Sequence, residues 1–377
     1  MNATAAIGLL LYCRGGFEGE CAKEIANVAA AASLPGFVRS KPDSGYVEFV
    51  FSEPVPARKL SDAVRFRDLV FARQMIRVGA WIDHLPVGDR VTPLLPAITS
   101  LNTHFADVLL ETADTNDAKT LSSFMRAFAK PLGFALKKTQ LIDAHDMTLP
   151  RLHVFFTGSS RACIGWSDRD DASPWPMGIP RLSMPRQAPS RSTLKLAYAI
   201  DWFLTADEVR VSMHEGVTAV DLGASPGGWT YQLVRRGVAV TAVDNGPMDE
   251  TMLDSGQVDH VRADGFTYRP RYPVEWMVCD IVEQPIRVAR LVAQWIADGD
   301  CRRSIFNLKL PMKKRYDELA RCRAAIVDIC QAQGVHCALR FKHLYHDREE
   351  VTGYAVRGDA TSSSRKKSRR RNDQWEP

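Results

Sequence analysis

The chain has 377 residues, 45% of them hydrophobic and 25% charged, which excludes a globally disordered chain and gives each of two or three domains enough apolar surface for a core. No apolar run nears the roughly 18 residues that a membrane-spanning helix needs. The formal net charge is +5, yet residues 357–377 hold seven basic and three acidic groups, so the body is left with +1 and its overall charge gives no argument for nucleic-acid binding.

In chain order, the apolar start Met1 to Tyr12 lacks a basic leader, and Cys13-Arg14-Gly15-Gly16 follows at once. This reads as a first strand and turn rather than a signal peptide. The eight cysteines, at 13, 21, 163, 279, 301, 322, 330 and 337, contain no CxxC pair. No zinc knuckle or other metal site is expected, and so few cysteines in a chain this long fit reduced thiols in the cytoplasm. Residues 46–51 read as a strand. Ala57 to Trp81 carries six basic and two acidic residues interleaved with Phe66, Phe71 and Trp81. Two readings of it stay open: a strip facing nucleic acid, or an amphipathic helix running into a strand with solvated arginines. Residues 103–130 read as helical, Leu152 to Phe156 as a strand, and Gly165-Trp166-Ser167 closes the first half.

Residues 172–190 hold five prolines and no acid. Proline at that density resists helix and favours an extended connector. The absence of acids continues to Ile200, while Arg181, Arg186, Arg191 and Lys195 add positive charge. The main domain boundary is expected here. Beyond it Ser192 to Phe203 reads as a helix. Five short apolar runs follow, each ending in a charged residue: Val217–Asp221, Val238–Asp244, His260–Asp264, Trp276–Asp280 and Ser304–Lys309. Strands alternating with helix-length stretches predict a parallel sheet with crossover helices. Ligands of such sheets bind at the carboxyl ends of the strands, where these charged residues lie. The tail from Thr361 to Arg371 is of low complexity and is expected to be a disordered basic arm.

The strongest motif is Asp221-Leu-Gly-Ala-Ser-Pro-Gly-Gly-Trp229, a strand end, a glycine-rich turn and a helix start. Glycines let a backbone approach a ligand closely, and a helix start offers free N–H groups. The spacing Gly223-x-x-x-Gly227-Gly228, with Pro226 where a pyrophosphate would need room, departs from the GxGxxG of dinucleotide binding and speaks against NAD. Asp244 ends the next strand, where an acid can hold the ribose hydroxyls of an adenosine-type ligand, and Asp264, after the third, is a candidate for the adenine.

This string resembles motif I of methyltransferases that use S-adenosyl-L-methionine, and more narrowly the FtsJ-type RNA 2′-O-ribose methyltransferases. That resemblance implies a Lys-Asp-Lys-Glu tetrad, here Lys195, Asp280, Lys309 and a glutamate of Arg348-Glu-Glu-Val-Thr352. Of the two glutamates Glu350 is preferred over Glu349, because it directly precedes the final strand. The resemblance also implies that Ser192, Ser225, Pro226, Gly227, Gly228, Trp229, Asp244, Asp264 and Asp280 serve the cofactor. Ser225 stands where cysteine or alanine is common in that family.

The segments Leu69–Gln74, Asn307–Pro311 and Phe341–Val351 extend the likeness to bacterial large-subunit ribosomal RNA methyltransferases that modify a cytidine. The implied fold class is α/β: a Rossmann-like methyltransferase domain preceded by α+β ferredoxin-like and THUMP RNA-binding domains. The expected boundaries are residues 1–60 ferredoxin-like, 61–171 THUMP-like, 172–190 linker, 191–357 catalytic and 358–377 tail. The implied partner is large-subunit ribosomal RNA before full assembly, with neither a membrane nor an obligate protein partner expected.

The chemistry needs such a set. A ribose hydroxyl is un-ionised at neutral pH and requires a positioned base. Lys309 can act as one only when neutral. Burial and the neighbouring Lys195 cation lower its pKa, whereas Asp280 and Glu350 oppose that, and the sequence leaves the balance open. Amino-group methyltransferases carry Asn/Asp-Pro-Pro-Tyr where this chain has Asp280-Ile-Val-Glu-Gln-Pro285. Cytosine C5 enzymes need a nucleophilic cysteine, and Cys279 reads as strand core instead. The alternative is an RNA-binding protein that keeps S-adenosyl-L-methionine as a structural ligand and performs no transfer.

Overall fold

The computed structural model describes residues 5–358; the expectation for the basic tail lies outside them. The chain divides into two compact units, Met1–Arg181 and Leu182–Pro377, and the division falls inside the proline-rich stretch.

The first unit holds β1 (Ala5–Tyr12), α1 (Glu18–Ala31), β2 (Gly36–Ser40), β3 (Tyr46–Pro56), α2 (Ala57–Ala63), β4 (Gln74–Ile82), α3 (Leu94–Thr99), β5 (Asp107–Thr112), α4 (Asn116–Lys119), α5 (Ser122–Thr139), β6 (Arg151–Gly158) and β7 (Arg161–Ser167). They build one seven-stranded sheet in the order β2-β3-β1-β4-β7-β6-β5. All its pairs are antiparallel except β5–β6. The order β2-β3-β1-β4 with α1 and α2 as crossovers is the ferredoxin-like arrangement. Its fourth strand, β4, lies beyond the expected boundary at residue 60, because β1 needs a partner on its second edge. A core of Leu10, Tyr12, Ile76, Val78, Phe155 and Cys163 joins strands from both halves of the sheet.

Two expectations are corrected here, and one open alternative is decided. Residues 103–130 are not one helix: Asp107–Thr112 is a strand, recruited by parallel pairing with β6. Of the two readings of Ala57–Trp81, the helix running into a strand holds, as α2 and β4, but its arginines are not all solvated. Phe66 and Phe71 are fully buried, and Arg73 and Arg77 are buried in ion pairs with Asp114 and Asp168; aromatic burial against the sheet overrides the surface reading. Residues 172–190 are not simply an extended connector. Pro176–Gly178 forms a 3-10 turn, Ser173 exchanges hydrogen bonds with the side chain of Gln74, and the Met177 N–H donates to Glu111.

The second unit holds α6 (Thr193–Phe203), α7 (Ala206–Ser212), β8 (Thr218–Leu222), α8 (Gly228–Val234), β9 (Ala239–Val243), α9 (Glu250–Leu253), β10 (Val258–Val261), β11 (Val274–Cys279), α10 (Pro285–Asp298), β12 (Cys301–Lys309), α11 (Arg315–Ala332), β13 (Cys337–Lys342) and β14 (Glu350–Arg357). The sheet order is β10-β9-β8-β11-β12-β14-β13. The first five strands in that order are parallel, and β14 inserts antiparallel between β12 and β13, a Rossmann-like topology. The central strands read as continuous apolar runs because both faces are covered. In α10, Val288, Leu291, Val292, Trp295 and Ile296 form the buried stripe. Pro285 opens the helix and Gly299, at φ +82°, closes it, the asymmetry expected of helix ends. The third parallel strand ends at Val261, three residues before the expected Asp264. Among the described residues no helix is long and apolar enough to cross a membrane.

Candidate active site

The parallel strands of the second unit deliver the residues that follow them to one edge of the sheet. After β8 the chain turns through Gly223, at φ +78°, and Gly227, at φ +118°. A Cβ at Gly223 would meet Ile281 at 2.8 Å, and one at Gly228 would meet the Ser192 Oγ at 2.2 Å. Ser192 thus packs directly on the turn, and its Oγ lies 2.6 Å from that of Ser190. The Pro226 carbonyl accepts from the Asp249 N–H at 3.0 Å. Trp229 is buried.

Asp244 follows β9 directly. Its Oδ2 accepts from the Ser225 N–H at 3.1 Å and its Oδ1 from the Gly246 N–H at 2.7 Å. The carboxylate ties the glycine turn to the next loop while each oxygen keeps room for a second donor. Asp264 is exposed, and its Oδ1 accepts from the Phe266 N–H at 2.9 Å, capping its own turn rather than ending a strand.

Asp221, within β8, is a residue that the sequence reasoning used as a landmark and not as a site. It is fully buried, its Oδ2 accepts from the Thr230 hydroxyl at 2.7 Å, and its Oδ1 has no hydrogen-bond partner among the described residues. Burial, opposed by the Thr230 hydrogen bond and reinforced by the charges of Asp280 and Asp244, pushes its carboxyl up to about 7. A buried oxygen without a donor, beside a turn that admits no side chain, fits a compact cationic nucleoside such as S-adenosyl-L-methionine.

The four expected tetrad members come together. Lys309 ends β12 and Glu350 opens β14, and the two are direct cross-strand partners. The Lys309 Nζ donates to Asp280 Oδ1 and to Glu350 Oε2. Lys195, on α6, donates to Glu350 Oε1 and lies 3.4 Å from Asp280 Oδ2. Two ammonium groups and two carboxylates therefore alternate around a closed square. Glu349 lies outside it: its Oε2 accepts from Arg315 at 2.6 Å. Glu350 is the strand's first residue rather than the one before it, and alternation along the strand sends its side chain to the opposite face from its successor Val351.

The balance left open by the sequence falls to the carboxylates. Burial lowers the pKa of Lys309, but the charges of Asp280 and Glu350 and their hydrogen bonds outweigh it, and the net direction is upward. Cys279 is fully buried and burial pushes its thiol up to about 12, the opposite of an activated nucleophile.

Residues 7–76 match the family described as RlmM ferredoxin-like domain, residues 89–168 that of ribosomal RNA large subunit methyltransferase M, N-terminal, and residues 188–296 that of FtsJ-like methyltransferase. Among curated relatives, the chain is 52% identical over 351 residues to "Ribosomal RNA large subunit methyltransferase M" of Methylococcus capsulatus, covering 93% of this chain and 98% of that one. It is 52% identical to the protein so named in Aromatoleum aromaticum, with 93% and 95% covered, and 47% identical to that of Pseudomonas syringae pv. tomato, with 95% and 99% covered. Among solved structures it is similar to fibrillarin of Aeropyrum pernix at a TM-score of 0.34 and 15% identity, with 54% of this chain and 81% of that one covered. At half identity over nearly the whole length of both chains, this protein belongs to the ribosomal RNA large subunit methyltransferase M family.

Proposed function

We propose that the protein transfers a methyl group from S-adenosyl-L-methionine to the ribose 2′-hydroxyl of a cytidine in large-subunit ribosomal RNA, in the cytoplasm and before assembly is complete. The observation that carries this reading is the closed square of Lys195, Glu350, Lys309 and Asp280 on the strand-end edge that also bears the glycine turn. Bound S-adenosyl-L-methionine supplies a methyl group activated on a sulfonium. Asp244 holds the ribose of that cofactor, the turn Ser225-Pro226-Gly227-Gly228 with Ser192 behind it shapes the pocket, and the Asp221 Oδ1 accepts from its cationic end. Trp229 and Asp264 border the same pocket.

Lys309 is the general base for the acceptor hydroxyl. Asp280 and Glu350 orient its amine, and Lys195 keeps both carboxylates from drawing that amine further toward themselves. Because those carboxylates also favour the ammonium form, the working base is the neutral fraction of Lys309, which grows as pH rises.

Positioning of the RNA falls to the first unit and its THUMP-like half. The support is α5. Arg126, Lys130, Phe134, Lys137 and Lys138 are all exposed on it, while Phe128, Leu132 and Leu136 face inward. No acid occurs between Asp117 and Asp143, and the Lys138 Nζ sits 4.7 Å from the ring centroid of Phe134. Cations with an exposed ring suit a phosphate backbone with accessible bases. The test is incubation with labelled S-adenosyl-L-methionine and total ribosomal RNA, followed by mapping of the label. A single cytidine 2′-O-methyl in the large-subunit RNA is expected. Label on a base, or binding of the cofactor without transfer, would overturn the reading.

A further inference from the structure

Behind the tetrad lies a second line of polar groups that the reaction as described does not use. Asn307 and Thr352 are cross-strand partners on β12 and β14, two pairs inward from Lys309 and Glu350. Side chains two residues apart on a strand share a face, so both pairs project toward the same side. Asn307, Thr352 and Asp347 are each 0% exposed. The Asn307 Nδ2 donates to Asp280 Oδ1 at 3.0 Å, and the Thr352 Oγ1 lies 2.8 Å from Asn307 Oδ1 and 2.9 Å from Asp347 Oδ2. Asp347 is in turn held by the Leu344 N–H, which donates to the same Oδ2 at 3.0 Å.

The polarity of this line is fixed by its far end. Asp280 Oδ1 already accepts from Lys309, so it can only be an acceptor toward Asn307, and the amide must present its Nδ2 there. That leaves the Asn307 Oδ1 facing Thr352, which must donate to it. An amide turned the other way would set oxygen against oxygen at the Asp280 end, while its Nδ2 could still donate to the Thr352 hydroxyl, which donates or accepts. Asp280 therefore selects the orientation of Asn307, the Thr352 hydroxyl holds the Oδ1 of that amide in place, and Asn307 adds a neutral donor to a carboxylate otherwise held by two mobile ammonium groups. A lysine has a long rotatable stem; an asparagine buried in a strand and bonded at both ends does not move with it.

We propose that Asn307, Thr352 and Asp347 form a buried positioning relay that fixes the Asp280 carboxylate and, through it, the amine of Lys309. This rests on the reading of Lys309 as the base. The three are positioning residues: none of them is required to touch the RNA or the cofactor.

The relay is tested on the full-length protein with Thr352→Val, which keeps the shape and removes the hydroxyl, Thr352→Ser, which keeps the hydroxyl, and Asn307→Ser, which shortens the amide out of reach of Asp280. For Thr352→Val and Asn307→Ser, kcat should fall by about tenfold, the worth of a buried hydrogen bond to a charged group, with KM for RNA and the S-adenosyl-L-methionine affinity little changed. A loosened Asp280 supports the ammonium form of Lys309 less, so the alkaline-rising limb of the pH–rate profile should move to lower pH. Thr352→Ser should restore both kcat and the position of that limb. Unchanged kcat and an unmoved limb in both disrupting variants would overturn the relay, and so would a loss that serine does not restore. If Thr352→Val fails to fold, Asn307→Ser and Thr352→Ser decide the matter alone. Lys309→Ala separates the two claims: full activity there would defeat the reading of the base, whereas its loss beside unchanged kcat and an unmoved limb in both disrupting variants would defeat the relay only.

Discussion

Lys309 and Glu350 stand directly opposite each other across the antiparallel β12–β14 pair, and their side chains meet. The last residue of one strand and the first of the next thus carry a charge pair whose geometry the sheet itself sets. Asp280, placed after the neighbouring β11, closes on the same amine, so no loop has to find its position by itself.

That arrangement gives the activity a definite pH dependence. Lys309 is held above the ordinary lysine value of about 10.4 by Asp280 and Glu350, so its neutral fraction rises with pH throughout the working range. The single-turnover rate should increase about tenfold per pH unit from neutrality to beyond pH 9. Lys309→Ala should lose roughly 10²–10⁴-fold, with cofactor affinity retained. Lys309→Arg should fail as well, since a guanidinium keeps its proton. A plateau below pH 8, or an active arginine variant, would make Lys309 an electrostatic stabiliser instead of the base.

Stability should run the other way with pH. The buried carboxyls of Asp221 and Asp347 are pushed up to about 7 and about 8, in each case chiefly by burial, with the charge of Glu350 next for Asp347. The unfolded values are near 3.9. Folding therefore binds protons: the stabilisation is complete below about pH 4 and is lost as pH rises through the two folded values. The melting temperature of the free protein should fall between about pH 4 and pH 8 and level off above it, and Asp221→Asn should flatten that fall. A melting temperature that climbs over this range would contradict the sign.

For the cofactor, Asp244→Ala should weaken S-adenosyl-L-methionine binding on the order of tenfold or more, the cost of removing a charged hydrogen-bonding partner, as titration calorimetry would measure. Gly227→Ala should weaken it too, because φ of +118° strains any side chain and a Cβ there would meet Met252 at 2.8 Å. Tight NAD binding without a response to S-adenosyl-L-methionine would sink the assignment.

Much of the second unit was legible because its signals are local. A charged residue at or just beyond an apolar strand needs only the period of the strand to be placed, and Asp244, Asp280 and Lys309 were placed that way. Asn307, Thr352 and Asp347 were not, since an asparagine or threonine inside a strand looks like any polar strand residue until the register of β12 against β14 is known. Asp221 was passed over for a different reason. It was read as the end of a strand, whereas its meaning comes from being buried with one oxygen unserved. In the first unit, the arginines of Ala57–Trp81 left two readings open because charge on a short segment says nothing of whether a carboxylate distant in sequence, such as Asp114 or Asp168, awaits it. Asp107–Thr112 was missed as a strand because it alone in that sheet pairs in parallel, a long-range contact that no local pattern announces.

The exposed face of α5 makes the RNA reading quantitative. Counterion release sets a slope of about 0.7–0.9 in log affinity against log salt for each phosphate contact. Replacing Arg126, Lys130 and Lys137 together by alanine removes three exposed cations from a helix whose inner face rests on Phe128, Leu132 and Leu136, so the fold should stand. Affinity for large-subunit RNA fragments should drop at low salt and the slope should flatten by about two to three, while the methylated nucleotide stays the same, because phosphate contacts position without reading sequence. Phe134→Ala should act differently, lowering affinity with the slope unchanged, since a stacking ring releases no counterions. If the triple variant keeps the wild-type slope, α5 is a solvated face, and the cations that anchor the RNA lie elsewhere.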